Sequence, residues 1–182
     1  VLPIQRAACV GVGVIGAGWV ARLVLNGVDV QIFDPSPDAP RIVEAVLANA
    51  ERAYGALYRS KLPERGSIRF APSILEAVEA ADFIQESVPE RLDFKRRILG
   101  EIDAAARPDA IIGSSTSGLL PSDLQAGMSY PKRLVVAHPF NPVYLLPLVE
   151  IVGRRHESSM SGIDPAMVNS ETGPDRRPFS II

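Results

Sequence analysis

An α/β fold with a doubly wound, mostly parallel sheet and helices on both faces is what this sequence predicts, on three observations. A glycine-rich turn follows directly on a short apolar run, Ala7 to Val10; an acid, Asp34, closes the next apolar run; and strand-like and helix-like stretches alternate from there to about Val152. Within the first unit, Ala7 to Val10 have the character of a buried strand and Val14 to Asn26 carry helical periodicity. Gly27 stops that helix and Val28 to Phe33 form a second strand, which makes a βαβ unit.

The spacing G-x-G-x-x-G fits this turn in two registers, Gly11, Gly13 and Gly16 or Gly13, Gly16 and Gly18. The first is preferred, because the second places two glycines inside the strand, where they weaken it. Gly11 then makes the tight turn, Gly13 lets backbone approach a pyrophosphate, and Gly16 lets the helix lie against the strand. The first helical residues, Val14 and Ile15, offer free N–H groups at the positive end of the helix dipole, a natural seat for an anion. Asp34 stands 23 positions after Gly11 (34 − 11), where an acid accepts hydrogen bonds from an adenosine ribose and repels the extra phosphate of NADP. The cofactor expected from this Rossmann-type fingerprint is NAD, with FAD the lesser alternative and a ligand-free glycine turn the plain one.

The bulk numbers exclude several classes. A chain of 182 residues, 47% hydrophobic, has room for one domain with or without a tail. A net charge of −2 with scattered basic residues gives no footprint for nucleic acid. Cys9 is the single cysteine and lies in the first strand, so neither a disulfide nor a cysteine metal cluster is expected, and no metal site is assigned. No stretch has the length of a membrane span and the first residues do not resemble a secretory leader, so a cytoplasmic protein without membrane partners is expected.

Further along, Pro35 to Pro40 form a turn, and Val43, Leu47, Ala50, Tyr54 and Leu57 mark one helical face up to about Tyr58. Ser67 to Phe70 are extended, and Ser73 with Glu76 forms a capping-box pattern. Asp82 to Gln85 make the next strand. Phe94, Ile98, Leu99 and Ile102 then line one side of a helix, leaving Lys95, Arg96 and Arg97 mostly outward. Glu86 and Glu90 fall at the carboxyl end of that strand or in the first helical turn, where open α/β sheets place their ligand crevice; a simple helix N-terminal acid explains Glu90 equally well. Ala110 to Gly113 form a strand running into Ser114, Ser115, Thr116 and Ser117, hydroxyls at the crevice end or ordinary loop and cap residues. Ser122 with Gln125 suggests a second capping box, for a short helix that Gly127 ends.

Leu134 to Ala137 make a further strand, and His138 follows it directly. Glu150 lies in the apolar run LVEIV, where a buried carboxylate needs a partner. If that run is a strand, Leu148, Glu150 and Val152 share a face, and the turn at Asn141 and Pro142 brings His138 back beside Glu150. A histidine held by a carboxylate has a fixed tautomer and is ready to act as a general base; a satisfied core histidine with a structural acid is the alternative.

Taken together, these pieces resemble the NAD-binding domain of the L-3-hydroxyacyl-CoA dehydrogenase superfamily from Arg6 to about Val152. The markers are the glycine turn, E-x-x-x-E-x-x-x-x-K at Glu86, Glu90 and Lys95, S-x-T-S ending at Ser117, and H-x-F-N-P from His138 to Pro142, with an acid 12 positions beyond the histidine (150 − 138). The resemblance implies that His138 is the general base for the 3-hydroxyl of a small 3-hydroxy acid and that Glu150 orients it. It implies that Ser117 bonds the substrate oxygen, that Asn141 helps place substrate and nicotinamide, and that Glu90 and Lys95 make cofactor-side contacts.

Within the superfamily, the wording QESVPERLDFK, SSTSGLLPSDLQ and HPFNPVYLLPLVEIV is most similar to the L-carnitine 3-dehydrogenase branch, with the L-gulonate branch close. The acyl-CoA branch has a lysine-rich second helix, whereas Val43 to Tyr58 contain no lysine. A carnitine-like substrate would present a trimethylammonium group, and Phe140 and Tyr144 are its candidate aromatic partners or else core residues. The family continues with a linker helix and an all-helical domain through which it forms homodimers. Residues 153–182, with three prolines and no sustained apolar face, resemble none of that and suggest an irregular, truncated or frame-shifted tail. The expected organisation is a dinucleotide domain over 1–152 and that tail, with His156 simply solvated.

Overall fold

Apolar, mostly small residues dominate Arg6–Val10, and four of the five are buried, so this segment becomes an inner strand, β1, of a seven-stranded sheet. Helix α1 (Val14–Leu25) and strand β2 (Asp29–Phe33) complete the βαβ unit. β2 lies parallel to β1 with Val10 opposite Phe33. Gly27 has a positive φ of 84°, which lets the chain leave the helix and return at once. The computed structural model describes residues 4–59 and 62–153. Of the expected irregular tail only Gly153 is described; the rest, with His156, lies outside the described residues.

Helix α2 (Ala39–Leu57) starts four residues before the expected Val43, because Pro40 sits in its first turn, where a missing N–H costs nothing. Strand β3 (Ile68–Phe70) follows. Ser73 caps helix α3 (Ile74–Val78), its hydroxyl accepting from the Glu76 amide at 3.2 Å. Strand β4 is Phe83–Glu86, one residue later than its sequence pattern indicated, and all four residues are buried. Helix α4 (Leu92–Ala105) and strand β5 (Ile111–Ser114) come next. The capping box expected at Ser122 does not form. Leu120 is the N-cap of a short helix, α5 (Pro121–Leu124), and Gln125 is turned inward to donate to the carbonyls of Pro131 and Leu134. Strand β6 runs Leu134–Pro139, so His138 is part of the strand, and β7 is Val149–Val152.

The strand order is β3-β2-β1-β4-β5-β6-β7, parallel except for the β6–β7 pair. The chain winds outward from β1 in one direction through β3, then crosses back and winds the other way from β4, so the order reverses between β1 and β4. Alternation along the strands sorts the core into two layers. Ala7, Cys9, Val30 and Ile32 pack under α1 and α2, while Ala8, Val10, Ile84 and Ile112 pack under α3 and α4. Cys9 is buried as expected, and burial pushes its thiol up to about 12. Along the carboxyl edge, Val10 aligns with Phe33 and Glu86, Glu86 with Ser114, and Ser114 with Val136. Every candidate residue stands at or beyond that edge.

Candidate active site

At the switch between β1 and β4, Gly11 has φ 86°, and an added Cβ would meet the Ser87 carbonyl at 2.9 Å. A Cβ on Gly16 would stand 1.9 Å from the Gly11 carbonyl oxygen, so helix and strand approach as closely as glycine permits. Gly13, the N-cap of α1, has open space around its would-be Cβ. The turn therefore begins at Gly11, in the first of the two registers. The first turn of α1 has no side-chain cap and no acid, so the amides around Val14, Ile15 and Gly16 are left for an external anion. A pyrophosphate fits that opening. Asp34 stands at the end of β2, its Oδ2 accepting from the Val12 amide at 2.7 Å and its Oδ1 from the Ser36 amide at 2.8 Å. The same carboxylate thus ties the glycine turn to the strand beside it.

Lys95 departs from the sequence pattern. Expected outward, it is 1% exposed, and its ammonium donates to Glu86 Oε1 at 2.7 Å and to the Val88 carbonyl at 3.1 Å. The periodicity of α4 assigned its inner face to Phe94, Ile98, Leu99 and Ile102. A buried carboxylate at the end of β4 draws one cation onto that face as well. Glu86, fully buried, also accepts from the Ser114 hydroxyl through Oε2 at 2.5 Å and from the Val88 amide at 2.7 Å. Glu90 lies nearer the surface, 3.5 Å from the Lys95 ammonium. Its Oε1 accepts from the Thr116 hydroxyl and from the amides of Ser117 at 3.0 Å and Gly118 at 3.3 Å. Partial burial pushes the Glu90 carboxyl up. The Thr116 hydroxyl, the two amides and the Lys95 charge outweigh this and hold it below the usual range.

The antiparallel register of β6 and β7 sets His138 opposite Glu150. His138 Nδ1 is 2.9 Å from Glu150 Oε2, and Nε2 is 3.2 Å from the Ser117 hydroxyl. With Nδ1–H donating to the carboxylate, Nε2 presents its lone pair toward Ser117 and the crevice. Glu150 was expected to be buried, but its side chain is 60% exposed against 30% for His138. Among the described residues β7 is the edge strand, so its apolar residues Ile151 and Val152 are exposed as well. The pairing follows from strand register rather than from burial. Asn141 is exposed in the β6–β7 connection, outside the bonded chain of Ser117, His138 and Glu150. Phe140, 38% exposed, has its ring centroid 6.1 Å from that of His138, while Tyr144 is half-buried against the core under α1.

Ser117, His138 and Glu150 are thus brought together at one end of the sheet; Gly11, Gly13, Gly16 and Asp34 surround the switch point; and Lys95 is enclosed behind Glu90. The sequence pattern named Ser115 and Thr116 as strand-end hydroxyls but not the partners they bond. Thr116 is enclosed on Glu90, and Ser115 accepts from the Gln85 amide at 2.7 Å and bonds Ser87 at 2.8 Å. The available signal was the polar pair Gln85 and Glu86 ending an otherwise apolar central strand, which requires polar partners on its neighbours. Among the described residues no cluster of His, Cys, Asp and Glu could hold a metal ion, and no helix is long and apolar enough to cross a membrane.

The reversed strand order and the open helix terminus behind a glycine turn define a dinucleotide-binding α/β domain. The chain belongs to the 3-hydroxyacyl-CoA dehydrogenase family, matching its NAD-binding domain over residues 6–168. It is 66% identical over 155 residues to the L-carnitine dehydrogenase/betainyl-CoA thioesterase of Rhizobium meliloti, covering 85% of this chain and 31% of that protein. It is 64% identical over 151 residues to the L-carnitine dehydrogenase of Mesorhizobium japonicum, covering 82% and 42%. Among solved structures, 5-formyl-3-hydroxy-2-methylpyridine 4-carboxylic acid 5-dehydrogenase, an NAD+-dependent dismutase, superposes with a TM-score of 0.74 at 36% identity over 82% of this chain and 48% of that one. The chain spans less than half the length of each of these three proteins.

Proposed function

We propose that residues 1–152 are the cofactor-binding and base-bearing part of an NAD-dependent dehydrogenase that oxidises the 3-hydroxyl of L-carnitine or a closely similar small acid. The observation that carries this reading is the bonded chain from Ser117 through His138 to Glu150, set at the carboxyl edge of the sheet beyond the glycine turn. The Ser117 hydroxyl holds the substrate oxygen against His138 Nε2, which takes the hydroxyl proton, and Glu150 stabilises the imidazolium that forms. NAD, when bound, supplies the acceptor for the hydride leaving C3. The amides of Gly13, Val14, Ile15 and Gly16 hold its pyrophosphate, Asp34 its adenosine ribose, and Asn141 helps align substrate with nicotinamide. The names of the relatives favour carnitine, and the half-exposed Phe140 ring beside His138 offers a face for a trimethylammonium group.

Calorimetric titration of the chain with NADH, followed by L-carnitine added to its NAD complex with NADH fluorescence recorded, tests this. Binding of NADH is expected, and NADH produced from carnitine would show that this part turns the substrate over by itself. NADH binding without any response to carnitine would reduce the chain to a cofactor module, and absence of NADH binding would overturn the reading altogether.

A further inference from the structure

Glu90 holds three donors from one turn with a single carboxylate oxygen. Oε1 accepts from the Thr116 hydroxyl and from the Ser117 and Gly118 amides, while Oε2 faces the Lys95 ammonium at 3.5 Å. Lys95 is itself fixed by the buried Glu86 and by the Val88 carbonyl, so its charge cannot follow a ligand into the crevice. Thr116 in turn accepts from the Leu119 amide at 3.2 Å, which closes the turn on itself. Ser117, the middle residue of this clamp, is the one whose hydroxyl reaches His138 Nε2. We propose that Glu90 is a positioning residue: anchored from behind by Lys95, its carboxylate sets the Thr116–Gly118 turn and thereby places the Ser117 hydroxyl against His138.

This gives Glu90 and Lys95 a task in the loop beside any contact with the cofactor. Glu90 Oε1 is committed to three donors of one loop, while Oε2, facing Lys95 at 3.5 Å on a side chain 47% exposed, keeps acceptor capacity. Loss of the carboxylate frees two backbone amides and one hydroxyl together, so the loop relaxes as a unit. Glu90 is partly exposed and Lys95 keeps Glu86 as its partner, so Glu90→Ala leaves the buried pair intact.

The inference rests on Ser117 and His138 being the reacting pair, but its test needs no turnover. The His138 imidazole is titrated by NMR in the 182-residue chain and in Glu90→Ala, Ser117→Ala and the double variant, with the His138 signal assigned through His138→Gln. If Glu90 acts through Ser117, Glu90→Ala moves the His138 midpoint in the same direction as Ser117→Ala, and the double variant moves it no further than Ser117→Ala alone. The Ser117 and Gly118 amides should also exchange roughly tenfold faster in Glu90→Ala. Thr116→Val, which removes one arm and keeps the carboxylate, should give a smaller change of the same kind. Additive shifts, an unmoved His138 midpoint, or unchanged loop exchange would overturn the proposal. Failure of NADH to bind the parent chain would count instead against the dehydrogenase reading.

Discussion

Gly13 and Gly16 belong to one motif, yet the physical demands on them are opposite. Gly16 faces the Gly11 carbonyl so closely that any Cβ forces the backbone apart, whereas Gly13 faces open space with an ordinary φ of −64°. Gly16→Ala should therefore lower folding stability by about 1–3 kcal/mol, the usual cost of overpacking. Gly13→Ala should leave stability within about 0.5 kcal/mol and weaken only NADH binding, because its methyl group crowds the anion and nothing else. Urea denaturation beside NADH titration of both variants separates these effects, and equal stability losses would show that Gly13 also has a packing role. At this scale the identities and spacing of Gly11, Gly16, Asp34, Ser117, His138 and Glu150 were legible in the sequence. The environments of Lys95 and Glu150 were not, because periodicity reports which face is apolar on average and says nothing of a single ion drawn inward by a carboxylate on another element.

Between elements, the ion pair of Glu86 and Lys95 is the main polar link joining the end of β4 to α4. Burying two charges is costly, and their attraction offsets that cost only while both are present and the Ser114 and Val88 bonds complete the shell. Lys95→Met leaves a buried carboxylate without its cation and should cost about 3–5 kcal/mol; Glu86→Gln combined with Lys95→Met should recover more than half of that loss. A double variant no more stable than Lys95→Met alone would mean that the packing of the lysine stem, and not charge pairing, dominates. The order of strands and helices was legible because β-strand and helix periodicities differ. Element ends were less so, and for stated reasons: Pro40 extended α2 toward its N-terminus, Gln125 found carbonyls to bond and abandoned the capping box, and β7 became an exposed edge that its apolar composition did not announce.

Across the whole molecule the two edges of the sheet carry different burdens, the carboxyl edge the crevice and the amino edge a set of bonds centred on Asp82. Its Oδ2 accepts from the Arg6 amide at 2.9 Å and the Gln5 amide at 3.2 Å, and its Oδ1 pairs with the Arg107 guanidinium at 2.9 Å. One carboxylate thereby joins the start of β1, the start of β4 and the turn before β5. Partial burial pushes the Asp82 carboxyl up, but the two amides and the charges of Arg6 and Arg107 outweigh it and hold it below the usual carboxylate range. A carboxyl depressed in the folded state contributes stability that is complete above its unfolded value near about 4 and is lost as pH falls through the lower folded value. Asp82→Asn should therefore lower stability at neutral pH by roughly 1.5 kcal/mol, the scale of hydrogen bonds to a charged group. The gap between variant and parent should narrow as pH falls below about 4, since protonation removes the same charge from the parent. NADH affinity should not change, because the substitution lies at the edge remote from the glycine turn. Urea midpoints of both proteins from neutral to acid pH, with NADH titrations at neutral pH, measure all three. A gap that stays constant into acid would assign the stabilisation to packing, and weakened NADH binding would show that the two edges are coupled through the sheet.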